Sequence, residues 1–337
     1  QGNISIGDWN HTLLFGLDYQ QSEFDVRAYW GGDVDPIDIY KPIYGSEVTV
    51  ATAAFMDGKT ILNQIGFYVQ DQIKFDDRWV ASFGGRFDSS IVENDSNKQT
   101  DDSFTGRAGL VYLADNGLAP YVSFSESFSP NTTINPETGI AFKPETGRQY
   151  ELGLRYQPIN NRDSYSLSVF DIVRKNYVTY DSSFLPKNSG EITVRGIELE
   201  ALLSPMENWN VTSAYSWTPE ADVTSSANLT EIGKRSFNYA EHQFSLWSDY
   251  TFPWGIKVGG GVRFTGETYG ANEAAPAKIP HYALFDLLVE YQIGSWGFAF
   301  NARNLTNKNY VANCNGSGTT CSYGETRNII LTLGYQW

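Results

Sequence analysis

Apolar and polar residues alternate with period two along most of the chain. In segment 149–156, Tyr150, Leu152, Leu154 and Tyr156 oppose Gln149, Glu151, Gly153 and Arg155. In 196–203, Ile197, Leu199, Ala201 and Leu203 oppose Gly196, Glu198, Glu200 and Leu202. In 285–292, Phe285, Leu287, Val289 and Tyr291 oppose Asp286, Leu288, Glu290 and Gln292. The last residues keep the rhythm, with Ile329, Leu331, Leu333, Tyr335 and Trp337 on one side. Such alternation marks strands with one apolar and one polar face.

The pattern predicts fifteen strands, near 1–7, 11–30, 61–76, 78–92, 101–114, 118–128, 145–157, 163–178, 189–204, 208–219, 240–252, 255–268, 282–293, 296–302 and 325–337. Many exceed the five or six residues of an ordinary globular strand, and reach the 9–11 that a tilted strand needs to cross a bilayer. Short connections at 8–10, 76–78, 115–117, 158–162, 205–208, 253–255 and 294–296 alternate with longer ones near 31–60, 93–100, 129–144, 179–188, 220–239, 269–281 and 303–324. In an antiparallel meander this puts every short turn at one end and every long loop at the other. That asymmetry predicts an all-β, up-and-down transmembrane β-barrel with periplasmic turns and extracellular loops. A soluble sandwich ending on an aromatic is the alternative. Asp71 breaks the pattern by sharing a face with Phe67, Val69, Ile73 and Phe75, so it is expected at the periplasmic rim or beside a bulge.

Composition agrees. Aromatics make up 15% of the chain, with 21 Tyr, 20 Phe and 9 Trp, while 31 Gly and only two Met point away from helical packing. No apolar run is long enough to span a bilayer as a helix. The net charge of −15 excludes the basic footprint that nucleic acid requires. Cys314 and Cys321 are separated by a short Gly/Ser/Thr spacer, which favours a disulfide over free thiols. A zinc pair would need partners that His11, His242 and His281 are not spaced to supply.

Several segments, in order, resemble the TonB-dependent ferric-siderophore receptors, above all the ferrichrome and ferrioxamine branch: "HTLLFGLDY" (11–19), "GFYVQDQ" (66–72), "GGRFD" (84–88), "PYVSFSESFSP" (120–130), "GRQYELGLRY" (147–156), "VRGIELEA" (194–201), "SLWSDYTF" (245–252), "GGGVRFTGETYG" (259–270) and "NLTNKNYVANC" (304–314). The resemblance implies a 22-stranded barrel in the bacterial outer membrane, filled by an N-terminal plug. Residues 1–337 are then expected to be one incomplete domain, the C-terminal portion of the barrel, with the plug, the TonB-binding segment and the first strands outside it. Alone, such a piece, with its two unpaired edges, is expected to aggregate or to form an improperly closed barrel.

The implied function is TonB-coupled uptake of a ferric siderophore, with hydroxamates favoured. Another cargo (cobalamin, haem or a sugar) and a passive porin are the alternatives. The implied partners are the siderophore, TonB–ExbB–ExbD through the absent region, outer-membrane lipid and the outer-membrane assembly machinery. That machinery reads the C-terminal aromatic strand, here Leu333, Tyr335 and Trp337. No resident cofactor is expected, since the iron arrives wrapped in its chelator as cargo. No set of catalytic groups is visible, and enzymatic activity is not expected.

Hydroxamate sites in this family are built from aromatic side chains, which suit a compact, partly apolar chelate. "RAYWGGD" (27–33) matches the family segment that carries a ligand-touching aromatic, which designates Trp30 with Tyr29 beside it, unless they are interface-belt aromatics. Tyr323, past the second cysteine, and the loop residues Tyr44 and Tyr269 are further candidates. In the ferrichrome branch an aromatic follows the first cysteine. Here Asn315 does, and the spacer is longer by a residue, which leaves room for a different hydroxamate or another chelate.

Overall fold

The computed structural model describes the chain apart from residues 30–31, 34–35, 39, 46–48, 51–55, 96, 160, 184, 271–277 and 316–319. Among the described residues, fifteen strands pair in chain order into one antiparallel sheet. They are Gly2–Ile6, Trp9–Ala28, Met56–Phe75, Trp79–Asn94, Lys98–Tyr112, Leu118–Ser129, Glu145–Tyr156 and Ser164–Tyr180. The remainder are Pro186–Met206, Trp209–Ser225, His242–Thr251, Ile256–Thr265, Tyr282–Ile293, Trp296–Arg303 and Asn328–Tyr335. Among the described residues, three two-stranded hairpins lie in the long connections, with one 3-10 turn at Leu229–Glu231. No ladder among the described residues joins Gly2–Ile6 to Asn328–Tyr335, so the sheet is open.

Five of the short connections reverse the chain at left-handed residues: Gly7, Asp76 with Asp77, Gly117, Gly255 and Gly294. Asp76 and Asp77 have φ of 50° and 49°, the paired left-handed conformation whose twist matches the flanking strands. Arg78 N–H closes that turn onto the Phe75 carbonyl at 3.2 Å. At the other end, two connections are tighter than the alternation suggested. Asn94 N–H already bonds to the Asn97 carbonyl at 2.9 Å, and Asp181 N–H to the Leu185 carbonyl at 3.0 Å. The polar runs at 93–100 and 179–188 are partly strand, because cross-strand pairing continues after the apolar pattern has ended.

Register carries one apolar face unbroken across the sheet. Leu17 lies opposite Phe67, Phe67 opposite Phe87, and Phe87 opposite Phe104. Farther along, Val122 faces Leu152, Leu152 faces Val169, and Leu154 faces Leu167, which faces Leu199. Val262 faces Phe285, and Phe298 faces Leu333. Phe15 and Leu17 are 68% and 67% exposed, and Leu331 is 78% exposed. An uncovered apolar band of this extent cannot face water. It is the lipid face.

Rings cluster at the short-turn end of this face. Trp9 stacks on Phe75 at 4.5 Å, Trp79 meets Tyr112 at 4.7 Å, and Tyr156 meets Tyr165 at 6.0 Å. Phe252 stacks on Trp254 at 4.7 Å, and Trp296 meets Tyr335 at 4.9 Å. This is an interfacial girdle. From Trp9 up to Tyr19 is ten residues of strand, about 33 Å along the chain. Tilted by about 40°, that is about 25 Å of height, the thickness of an outer-membrane apolar band.

Asp71 faces lipid, and no bulge excuses it. Both of its ladders run without a register shift, placing it opposite Leu13 and Phe83. It is instead paired: His11 Nδ1 lies 2.8 Å from Asp71 Oδ2, with each side chain about one quarter exposed (24% and 25%). Asp71 Oδ1 is buried without a hydrogen-bond partner.

The opposite face is polar and laid flat. Cross-strand rings lie over glycines: Tyr68 over Gly16, Tyr121 over Gly153, Phe170 over Gly196, and Trp247 across Gly259 and Gly261. Each glycine removes the Cβ that would prop its ring away from the wall. Charged groups fill the intervals in closed pairs. Arg86 bridges Asp18 and Asp88, each at 2.7 Å, and Tyr121 Oη donates to Glu151 at 2.5 Å. Gly153→Val, which would drive a side chain into the Tyr121 ring, is expected to cost about 1–3 kcal/mol. The check is the urea midpoint of the full-length protein in lipid vesicles, with Gly260→Ala as the variant that should change little. A Cβ at Gly260 meets only the Asp286 carbonyl oxygen, at 3.6 Å.

Candidate ligand-binding mouth

At the long-loop end, two loops fold inward onto the polar face, each with its own small core. Residues 130–144 turn at Asn135–Gly139, where Gly139 (φ 71°) donates to the Asn135 carbonyl at 2.8 Å. Ala141 and Ile134 pack on Leu62 and Val92 of the wall. The Gly139 carbonyl accepts from Asn94 Nδ2 at 3.1 Å and Asn97 Nδ2 at 3.0 Å. On its other flank the loop is held by Lys187 to Glu137 at 2.6 Å and by Asn188 to the Lys143 carbonyl at 3.2 Å. It is therefore a strap tied to two separate stretches of wall.

Residues 226–241 form the second inward fold. Ser236 N–H bonds to the Ala221 carbonyl at 2.6 Å, and Val223 N–H to the Lys234 carbonyl at 2.9 Å. The loop thereby covers Ile192, Val194, Ala221 and Val223, against which Phe170, Ile172 and Tyr177 pack. Arg235 donates to the carbonyls of Thr218, Pro219 and Tyr239. Asn238 N–H joins this loop to the next through the Tyr269 carbonyl at 3.0 Å.

The third loop carries the disulfide. Cys314 and Cys321 are bonded, within the hairpin Val311–Asn315 and Thr320–Tyr323. Both ends of the loop are gathered by Asn304, only 2% exposed and with φ of 48°. Its Nδ2 donates to the carbonyls of Lys308 (2.9 Å) and Glu325 (3.0 Å), and its Oδ1 accepts from Lys308 N–H at 2.8 Å. Its own N–H goes to Asp286 Oδ1 at 2.9 Å, and Asp286 in turn holds Arg263 through two bonds of 2.7 and 3.0 Å. A second left-handed asparagine, Asn307 (φ 53°), accepts from Arg327 N–H at 3.0 Å. Tyr310 meets Tyr282 at 4.3 Å and covers Gly324. Burial is the first cause that raises the Tyr310 phenol above its usual value. The ring stays neutral at physiological pH.

Four of the aromatics designated from sequence, Tyr29, Tyr44, Tyr269 and Tyr323, belong to this end. Tyr29 follows the strand Trp9–Ala28 and is exposed, as are Tyr44 at 81% and Tyr323 at 79%. Tyr269 sits half-buried in the hairpin Thr268–Tyr269 with Lys278–Ile279. Trp30 lies outside the described residues. No ring contact or side-chain hydrogen bond among the described residues joins any two of Tyr29, Tyr44, Tyr269 and Tyr323. At the opposite end, Leu333 and Tyr335 lie in the last ladder against Phe298 and Trp296, and Trp337 stands free beyond it. His242 stacks on Tyr215, whose hydroxyl lies 2.9 Å from its Nδ1.

Sequence reasoning missed the polar clamp around Asn304 and the Arg263–Asp286 pair beneath it. The signal was present in "NLTNKNY", where asparagines three apart precede an aromatic and asparagine tolerates the left-handed conformation.

Residues 1–305 match the family described as TonB dependent receptor-like, beta-barrel. The chain is 34% identical to the ferrioxamine B receptor of Salmonella typhimurium over 99% of its own length, covering 49% of that protein. It is 33% identical to the ferrichrome outer membrane transporter/phage receptor of Escherichia coli K12, covering 47% of it. The chain thus spans about half the length of these curated relatives. Among solved structures, the ferric-catecholate import receptor Fiu of E. coli K12 superposes with a TM-score of 0.83 at 20% identity, over 99% of this chain and 53% of that one. At that identity the likeness speaks for fold alone. An uninterrupted lipid-facing band, an aromatic girdle, unequal ends and the matched family agree. The chain belongs to the TonB-dependent receptor family and forms part of its outer-membrane β-barrel.

Proposed function

We propose that this chain is the lipid-embedded wall and outer mouth of a receptor that takes up ferric siderophores, with hydroxamates as the favoured chelators. The observation that carries this reading is the 34% identity to a ferrioxamine B receptor across 99% of the chain. The mouth supports it: two inward straps and a disulfide-bonded loop gather at the long-loop end, where Tyr29, Tyr44, Tyr269 and Tyr323 also lie; these four, with Trp30, are the proposed contacts. In the intact protein a plug fills the lumen, TonB–ExbB–ExbD drives release inward, and the assembly machinery reads Leu333, Tyr335 and Trp337. The family is one of receptors and transporters rather than enzymes, and the iron is cargo.

Deleting the gene is expected to abolish growth on at least one ferric hydroxamate under iron limitation, with growth restored by a plasmid copy. Undiminished growth on every siderophore supplied would overturn the reading.

A further inference from the structure

On the lipid face, one place departs from the flat apolar band. The strands Pro186–Met206 and Trp209–Ser225 slip register there: Arg195 lies opposite Glu220, but Ile197 lies opposite Trp217. Thr218 and Pro219 are thereby set against the single residue Gly196, which is a bulge. Pro219 has no N–H to give the ladder, and the Trp217 carbonyl oxygen stands 2.7 Å from where a Gly196 Cβ would sit. Arg235, reaching from the second inward loop, holds the Thr218 and Pro219 carbonyls. The bulge opens an apolar groove of about 420 Å³, lined by Tyr150, Leu152, Val169, Ile197, Trp217 and Pro219. Leu152 is 62% exposed and Val169 47%, so the groove is open to lipid.

Charged side chains close the outer end of the groove. Register places Asp171 on the face of Val169, Arg195 on that of Ile197, and Arg148 on that of Tyr150 and Leu152. Arg195 Nε donates to Asp171 Oδ2 at 2.5 Å, and its Nη1 to the two Glu220 oxygens at 3.0 and 3.2 Å. Two carboxylates share one guanidinium, so this corner carries a net negative charge. Arg148 is exposed, lies 5.2 Å from the centroid of the Tyr150 ring, and forms no ion pair among the described residues. The carboxylate of its cross-strand neighbour Glu126 accepts from the Gly106 N–H at 3.0 Å. Arg148 and Asp171 lie diagonally across one ladder, about 7–8 Å apart. Arg148 is eight residues up the strand from Tyr156 in the girdle, about 20 Å of height at a tilt of about 40°. That is within reach of the headgroups of the outer leaflet.

We propose that this groove holds one zwitterionic phospholipid, with an acyl chain along the bulge, its phosphate on Arg148 and its ammonium on Asp171 and Glu220. The apolar lining accounts for the chain, and it continues the lipid face without interruption. The separated charges account for the headgroup. Arg148 offers a planar fork to a phosphate. Two carboxylates on one guanidinium keep acceptor lone pairs for an ammonium. A polyanionic glycolipid would bring further phosphates against Asp171, Glu220 and the neighbouring Glu126, where like charges repel. An anionic phospholipid can use Arg148 but has no cation for the carboxylates. The site stands on the outside of the wall and does not depend on what the receptor carries. Because Arg235 pins the bulge from the lumen side, the lipid and the inward loop 226–241 share one support.

The test is native mass spectrometry of the purified full-length receptor with phosphatidylethanolamine, phosphatidylglycerol or lipid A added at equal concentration. Wild type is expected to retain one phosphatidylethanolamine, with a preference of about fivefold or more over either competitor. Ile197→Trp, which fills the groove, is expected to weaken that retention about tenfold, equivalent to about two buried methylene groups. Leu152→Trp gives a second filling should the first variant fail to assemble. Arg148→Gln should weaken both phospholipids, by about threefold or more. Asp171→Asn with Glu220→Gln should turn the preference toward phosphatidylglycerol. Leu331→Trp, on the lipid face of the last strand, controls for insertion of a ring and should leave retention unchanged. A groove-filled variant within twofold of wild type, equal or tighter binding of lipid A or phosphatidylglycerol by the wild type, or no lipid retained would each overturn the inference. None of these outcomes bears on the siderophore reading.

Discussion

Replacing His11 by leucine is expected to destabilise the assembled barrel by about 2–3 kcal/mol. His11 is the partner that lets a carboxylate face lipid at Asp71, where they meet at 2.8 Å with neither ladder shifted. One Asp71 oxygen is already buried and unpartnered, so loss of the imidazole strands the whole group among Leu13, Phe83, Val69 and Ile73. Removing one member of a buried pair costs more than removing both. The double variant His11→Leu/Asp71→Leu should therefore recover most of the loss. The measurement is the urea midpoint of heat-modifiable migration for the full-length receptor in vesicles. A double variant as unstable as the single one would show that the pair does more than neutralise itself.

Asn304→Ala is expected to cost about 3–4 kcal/mol. Three side-chain hydrogen bonds are lost, three backbone groups of Lys308 and Glu325 lose their partner, and alanine must adopt a left-handed φ of 48°. Asn304→Gly removes the backbone penalty but not the lost bonds, so it should be less damaging by about 1 kcal/mol. The effect is local. The loop 304–327 should become a site of protease cleavage in the otherwise intact full-length receptor, while the urea midpoint of the remaining sheet moves little. A loop as resistant as wild type would refute the clamp.

Much of the sheet was legible in the sequence because period two is imposed twice, by lipid on one side and by a polar lumen on the other. Each of the fifteen predicted strands has its counterpart, from Gly2–Ile6 to Asn328–Tyr335. Boundaries were poorest where only one constraint acts. Above the apolar band, Lys98–Asp101 and Pro186–Ser189 have no lipid to face, and their membership of strands rests on cross-strand bonds that no local pattern encodes. Asp71 was legible as an anomaly but not as a pair, since His11 is sixty residues away and only register joins them. Trp30 and Tyr29 were designated through resemblance and Tyr44, Tyr269 and Tyr323 by their place on long loops, and neither route sets them against a ligand.

The glycines beneath Tyr68, Tyr121, Phe170 and Trp247 set how far the polar wall projects inward. A ring resting face-down on a neighbour's bare backbone projects by about its own thickness, near 3.5 Å, instead of by its full length. Repeated around the circumference, this trades protruding bulk for open cross-section while still offering a π surface to whatever slides past. A tube lined this way can pass or house a large, rigid guest without enlarging its strand count, and a single methyl in the wrong place would act as a pebble in the pipe.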